Sequence, residues 1–363
     1  MTKKSKTLIS ILLFVVLFGG LLLTATFTDL QVSDILTRHA LASHSYYTND
    51  PFGATFESVG SAPVYFMLAF SIQILFWGVR RFWKKRPIKD IVEVIGVIAG
   101  TAAYYAFLSE TVGYLLQHLN AESYNGSAFL SGIALFLAAL FMLFGTLAVK
   151  NFSDDSMKKL INFAFAMICT VILANAVVAI VKIPFGRMRY RAMNTAGGAS
   201  IGGFANFTRW YVRNGQMDKA QMMTLFGTTD ACKSFPSGHT CAAGMSYGLI
   251  MLADSLGIKS KGKRAALWIC PILFTGIVAV SRIVVGAHFF SDVLMGGTIS
   301  FLSVMLFREI FILKGAMHLS ASISYLPSPS LIASTGHSAA QAPHEMQSSE
   351  ILYAILHDLL YYV

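Results

Sequence analysis

Apolar residues fill this chain in runs of roughly 20, with short polar segments between them. The runs lie near residues 7–26, 62–79, 91–116, 128–149, 160–182, 239–256, 265–285 and 290–312. A helix rises about 1.5 Å per residue, so about 20 apolar residues cross the roughly 30 Å of a bilayer's hydrocarbon. The expected fold is therefore all-α: a polytopic membrane helical bundle of about eight transmembrane helices.

Composition agrees. Of 363 residues, 55% are hydrophobic and 13% charged, where a soluble domain carries about 25% charged residues. The net charge of +10 would suggest nucleic acid as the partner of a soluble protein. Its distribution argues for a membrane instead. Lys3, Lys4 and Lys6 precede the first run; Arg80, Arg81, Lys84, Lys85, Arg86 and Lys89 follow the second. Lys150, Lys158 and Lys159 follow the fourth, Lys259, Lys261, Lys263 and Arg264 the sixth, and Arg308 and Lys314 end the eighth. Basic residues collect in cytoplasmic loops, so both termini are expected inside, and no nucleic acid is expected as partner. The expected setting is a bacterial inner or cell membrane. The first run is longer than a signal-peptide core and reads as an anchor.

One outer loop departs from this pattern. Residues 182–233 carry Lys182, Arg187, Arg189, Arg191, Arg209, Arg213, Lys219 and Lys233. Long loops escape the charge rule, and an anionic substrate would account for the charge. The same loop holds Phe204, Phe207, Trp210 and Tyr211. It reads either as a flexible loop with aromatics at the interface or as a lid. Cys169, Cys232, Cys241 and Cys270 form no CxxC pair, so neither a disulfide framework nor a zinc site is expected. Three segments are expected: N-terminal transmembrane helices and an outer loop over 1–89, a catalytic membrane domain over 90–318, and a disordered cytoplasmic tail over 319–363.

Ionisable side chains at a membrane edge are costly and need a reason. Three clusters stand out, all at outer ends of runs: Lys182 to Tyr190, Phe235-Pro236-Ser237-Gly238-His239-Thr240, and Ser281-Arg282 followed by His288 and Asp292. Pro-Ser-Gly opens a helix whose first N–H groups favour an anion. His288 and Asp292 stand four residues apart, so on one helix the carboxylate would accept a hydrogen bond from the ring and leave the other nitrogen as nucleophile. His118, like the remaining histidines, reads as incidental. Glu93 and Glu110 read as packing within the bundle, leaving Asp292 as the site carboxylate.

These clusters resemble the type 2 phosphatidic acid phosphatase (PAP2) family, which shares its site with the vanadium haloperoxidases. The family pattern K-x6-R-P, P-S-G-H, S-R-x5-H-x3-D reads here Lys182-x6-Arg189-Tyr190, Pro236-Ser237-Gly238-His239 and Ser281-Arg282-x5-His288-x3-Asp292. The resemblance spans roughly 90–312, and Tyr190 replaces the family's Pro. With that Pro gone, Arg187 or Arg191 could share the role of Arg189. The resemblance implies a six-helix catalytic core and a membrane phosphatase acting on a lipid phosphate or diphosphate, with no cofactor and no metal. It implies His288 as nucleophile, Asp292 as its orienter and His239 as acid and base. Lys182, Arg189, Arg282, Ser237 and Gly238 would hold the phosphate. The alternatives are a lipid phosphotransferase using the same residues and a non-catalytic anion transporter.

Overall fold

The computed structural model describes residues 3–37, 46–47, 50–82 and 86–314. The expected tail lies outside the described residues. Among those described, every regular element is helical. The order is α1 (Lys3–Thr37), α2 (Pro51–Val59), α3 (Ala62–Phe82), α4 (Arg86–His118), α5 (Ala128–Lys150), α6 (Asp154–Phe185), α7 (Tyr190–Met193), α8 (Ala196–Ser200), α9 (Lys219–Phe226), α10 (Gly238–Ala243), α11 (Gly248–Ser255), α12 (Lys261–Val284) and α13 (Phe290–Phe307). Turns of 3₁₀ helix occupy Glu122–Tyr124, Gly203–Asn206 and Gly244–Tyr247, and α13 continues as a π-helical turn over Arg308–Lys314.

Seven of the described helical segments are long and apolar enough to cross a membrane, which makes the chain a multi-pass membrane protein. Three of the long helices start where a serine satisfies a free N–H group. Ser127 caps α5, Ser153 caps α6 and Ser260 caps α12. The eighth expected span, 239–256, is absent from that count. It is built instead as α10, the 3₁₀ turn and α11 in succession. Two glycines explain the break. A Cβ at Gly244 would overlap Ser300, and one at Gly248 would overlap Met167. The backbone is drawn against α13 and α6 closely enough to tighten the helix.

The main core lies between α3, α6, α11 and α13 and includes Phe163, Met167, Ile250 and Val304. A second cluster joins α3, α4 and α5 through Ala69, Phe76, Tyr104 and Ala138. Outward faces remain apolar, as at Phe136, Ile180 and Leu273, which suits lipid. Helix α1 differs along its length. Its first half is exposed, while Ala25, Asp29, Ser33 and Thr37 form a buried stripe at i, i+4 spacing. It runs to residue 37 rather than 26 because the later polar residues face protein.

The segment from Gly186 to Phe235 folds over one end of the bundle with a core of its own, including Met188, Met193, Met222, Phe226 and Phe289. Its aromatics are docked on protein. Phe207 meets Phe289 at 5.3 Å, and Trp210 Nε1 donates to Thr26 Oγ1 of α1 at 2.8 Å.

Candidate active site

All three clusters meet at the end of the bundle that this segment covers. Helix α6 stops at Gly186, which takes a left-handed φ of 47°. A Cβ there would overlap Gly215, so glycine suits both the conformation and the space. The chain beyond is extended at Arg189 and stitched on two sides. Arg189 N donates to Ala231 O (2.8 Å), Ser234 N to Arg187 O (3.0 Å) and Arg191 N to Gly286 O (2.9 Å). Ser237 N donates to Asp292 O at 3.0 Å, and Gly296 lacks the Cβ that would overlap Ser237. Lys182 Nζ lies 3.4 Å from where a Cβ of Gly238 would be. Glycine at 238 leaves room for the ammonium beside the opening turn of α10.

His288 is buried in the loop just before α13. Its Nδ1 sits 2.6 Å from the backbone oxygen of Ser234. A carbonyl only accepts, so Nδ1 carries the proton and Nε2 keeps the lone pair. The expected hydrogen bond from the ring to Asp292 is not made. Nδ1 and Asp292 Oδ2 are 3.9 Å apart, too far for one. The reason is register: His288 precedes the helix, and Asp292 sits in its first turn, accepting from Phe289 N (2.8 Å), Ser234 Oγ (2.5 Å) and Arg187 Nη1 (2.6 Å). Asp292 thus holds Ser234, and Ser234 holds the ring. Burial first, then Arg189, Arg282 and Lys182, keep the His288 pKa well below its ordinary value.

The cations divide into two kinds. Arg187 is saturated: Nε donates to Thr208 O (2.8 Å), Nη1 to Ser291 Oγ (2.9 Å) and to Asp292, and Nη2 to Asp29 Oδ2 (2.9 Å). It is a tie within the fold and has little left for a substrate. Arg189 is held by Asp230 through Nε to the backbone oxygen (2.9 Å) and Nη2 to Oδ2 (2.5 Å), while its buried Nη1 has no hydrogen-bond partner. Arg191 Nε and Nη1, Arg282 Nε and His239 Nε2 are likewise buried without a hydrogen-bond partner. Such orphaned groups are expensive. Arg189, Arg282, His239 and Lys182 surround the His288 ring, so idle donors lie beside its Nε2, the arrangement of an anion site. Ser237 Oγ is committed to capping α10, bonded to Thr240 N at 3.3 Å and Thr240 Oγ1 at 2.9 Å.

Residues 159–314 match the family model of the PAP2 superfamily. This part of the chain belongs to that superfamily. The match carries phosphatase-type chemistry on phosphoric esters. It holds all eight expected site residues and begins in α6, later than the residue near 90 from which the resemblance was expected to run. Comparison with curated proteins and with solved structures found no match.

Two buried carboxylates reach this PAP2 site from outside the matched segment, and neither was expected. Asp29 of α1 accepts from Ser291 N (2.8 Å), Ser291 Oγ (2.5 Å) and Arg187. Glu57 of α2 lies 2.6 Å from Arg282 Nη1 and 3.6 Å from Arg191 Nη1, and its other oxygen is 3.0 Å from His118 Nε2. So Asp292 is not the only carboxylate of the site, and His118 is not incidental. Glu110 packs within the bundle, on Ser61 (3.1 Å), whereas Glu93 pairs with Arg80 where both side chains are partly exposed. Tyr190, in place of the family's Pro, starts α7 and donates to Asp34 Oδ1 at 3.1 Å. Among the described residues, no three His, Cys, Asp or Glu side chains gather as a metal site.

Proposed function

We propose that the chain hydrolyses a phosphomonoester or diphosphate, carried by a lipid, through a phosphohistidine on Nε2 of His288. The observation that carries this reading is the Ser234 carbonyl on Nδ1, which leaves the Nε2 lone pair free on a ring that Arg189, Arg282 and Lys182 surround. In the first step Nε2 attacks phosphorus and the ester P–O bond breaks. Lys182, Arg189 and Arg282 hold the non-bridging oxygens, with the Gly238 N–H and Ser237 beside them. Burial and Arg282 hold the His239 pKa down in the free enzyme, and the bound anion offsets the nearby cations, so His239 takes up the substrate's proton on binding and gives it to the leaving oxygen. In the second step His239 takes a proton from water, the water oxygen bonds to phosphorus as the P–N bond breaks, and phosphate leaves. Asp292 steadies the imidazolium that forms, from 3.9 Å and through Ser234.

A phosphomonoester carries about −1.5 to −2 charge near neutral pH, which the surrounding cations match. The cations supply the charge stabilisation that a metal gives in two-metal phosphatases, so activity is expected to survive excess EDTA. Arg80, Arg81, Lys158 and Arg264 lie at the ends of α3, α6 and α12 away from the site, while Arg209, Arg213 and Lys219 belong to a long segment of the kind that escapes the charge rule. By the positive-inside tendency the site then faces outward. A site among helix ends at that level admits a lipid headgroup from the side.

Phosphate release by detergent-purified wild type and His288→Ala, with EDTA present, tests the reading. Phosphatidic acid, a polyprenyl diphosphate and glucose 6-phosphate form the panel. Release by wild type alone is expected, with a lipid preferred. Strict dependence on Mg²⁺ or preference for the soluble ester would remove the corresponding part.

A further inference from the structure

We propose that Glu57, brought to the site by a helix outside the PAP2-matched segment, is the counter-charge and positioning residue of the phosphate-binding arginines. This rests on the reading of Arg282 as a phosphate ligand.

The placement of Glu57 is specific. Helix α2 begins at a capped turn, with Asp50 Oδ1 accepting from Gly53 N at 2.5 Å and Pro51 in the first position. A Cβ at Gly53 would overlap Val285, and one at Gly60 would crowd Val278. Both glycines therefore let α2 lie flush on α12, and the Glu57 carboxylate reaches the Arg282 guanidinium at 2.6 Å. His118, at the end of α4, holds the second oxygen at 3.0 Å. Arg282 is 1% exposed and Glu57 0%.

The contrast with Arg187 shows what this pair is for. Every nitrogen of Arg187 donates along a hydrogen bond to an acceptor in the fold. Arg282 Nη1 pairs with Glu57 at 2.6 Å and Arg191 Nη1 lies 3.6 Å from the same oxygen, yet Nε of both arginines and Nη1 of Arg191 remain without a hydrogen-bond acceptor. Glu57 neutralises the two guanidiniums while leaving these donors idle. A buried guanidinium with idle donors is costly unless another group takes them in the working state, and an anion entering the site would do so.

Charge balance gives the second half of the argument. Lys182, Arg187, Arg189, Arg191, Lys233 and Arg282 gather with Asp29, Glu57, Asp230 and Asp292. Six cations against four carboxylates leave a surplus of two, close to the charge of a phosphate dianion. Without Glu57 the surplus grows and product phosphate is held harder. Binding that is equally strong for product and transition state does not speed turnover.

Full-length wild type and Glu57→Gln in detergent give the test, read by calorimetric titration with inorganic phosphate and by kcat and KM. The variant is expected to bind phosphate roughly tenfold tighter, because a buried charge a few ångströms away is gone, while kcat falls by about tenfold or more through loss of alignment. A role in holding the fold alone would lower phosphate affinity and kcat together, and that result overturns the proposal, as does an affinity equal to wild type. Should Glu57→Gln not fold, Glu57→Asp keeps the charge and draws the carboxylate back by one methylene. It is expected to bind phosphate like wild type with a reduced kcat, and an unchanged kcat overturns positioning. If wild type binds phosphate and Glu57→Gln binds it tighter, yet neither releases it from an ester, the hydrolase reading falls and this one stands. If wild type turns over and Glu57→Gln matches it in every value, this inference alone falls. A wild type that binds no phosphate overturns both.

Discussion

At one end of the bundle, Arg264 and Arg308 share Asp254, at 2.7 and 2.6 Å. At the other end, Arg187 bridges Asp29 and Asp292, at 2.9 and 2.6 Å. The chemistry and distances are nearly the same, and the surroundings are not. Arg264 is 37% exposed and Arg308 21%, whereas Arg187 is 1% exposed. Water screens the first cluster, and removing one partner there leaves a charge that can hydrate. The second cluster is dry, and removing one partner strands a buried charge, at roughly 3–5 kcal/mol. The dry cluster fixes geometry: it holds Ser291 and Asp292 and, through Ser234, His288.

The largest effect that would break this contrast is chemical. His239→Gln is expected to lower kcat by roughly 10²–10⁴-fold, the range of general acid–base catalysis, with the melting temperature close to wild type. A loss under threefold would remove His239 from the mechanism. Next, Asp29→Ala should destabilise the protein by roughly 3–5 kcal/mol, read as a fall in melting temperature in detergent. Asp254→Ala, at the wetter end, should cost about 1–3 kcal/mol and leave phosphate release intact. If the two aspartates cost the same, burial is not what separates the ends. Smallest, Asp155→Ala should change stability by no more than about 0.5 kcal/mol, since its i, i+4 pair with Lys159 is exposed on both sides.

The pH profile sharpens the same contrast. In the proposed mechanism His288 must be neutral to attack, and burial with nearby cations depresses its pKa below the ordinary 6.5. The acid limb of kcat/KM is therefore expected below pH 6.5. A depressed histidine pKa also contributes stability that is fully present above the unfolded value and lost as pH falls through the folded one. An acid limb above pH 6.5 would show that His288 is solvated.

Much of this was readable in the chain before folding. Lys182, Arg189, Ser237, His239, Arg282, His288 and Asp292 announce themselves because fixed spacing places them on three short segments. What escaped was the partner set. Asp29 and Arg187 are 158 residues apart, and a hydropathy window averages one aspartate away. The stripe Ala25, Asp29, Ser33, Thr37 was a usable signal, since polar residues at i, i+4 after an apolar run mark a helix that continues against protein. Glu57 carried a weaker one, the Asp50-Pro51 helix start just before it. Ser234 gave none, because it acts through its backbone oxygen, which any residue supplies. The broken span at 238–255 escaped for a related reason: Gly244 and Gly248 count as apolar in a window, yet they are where the backbone is pulled in.

The central claim is that His288 forms the bond to phosphorus. Wild type mixed with a radiolabelled phosphate ester and quenched with base within the first turnover should yield label on the protein, stable to base, released by acid and absent in His288→Ala. Label that persists in His288→Ala, or turnover of that variant at the wild-type rate, would contradict the account.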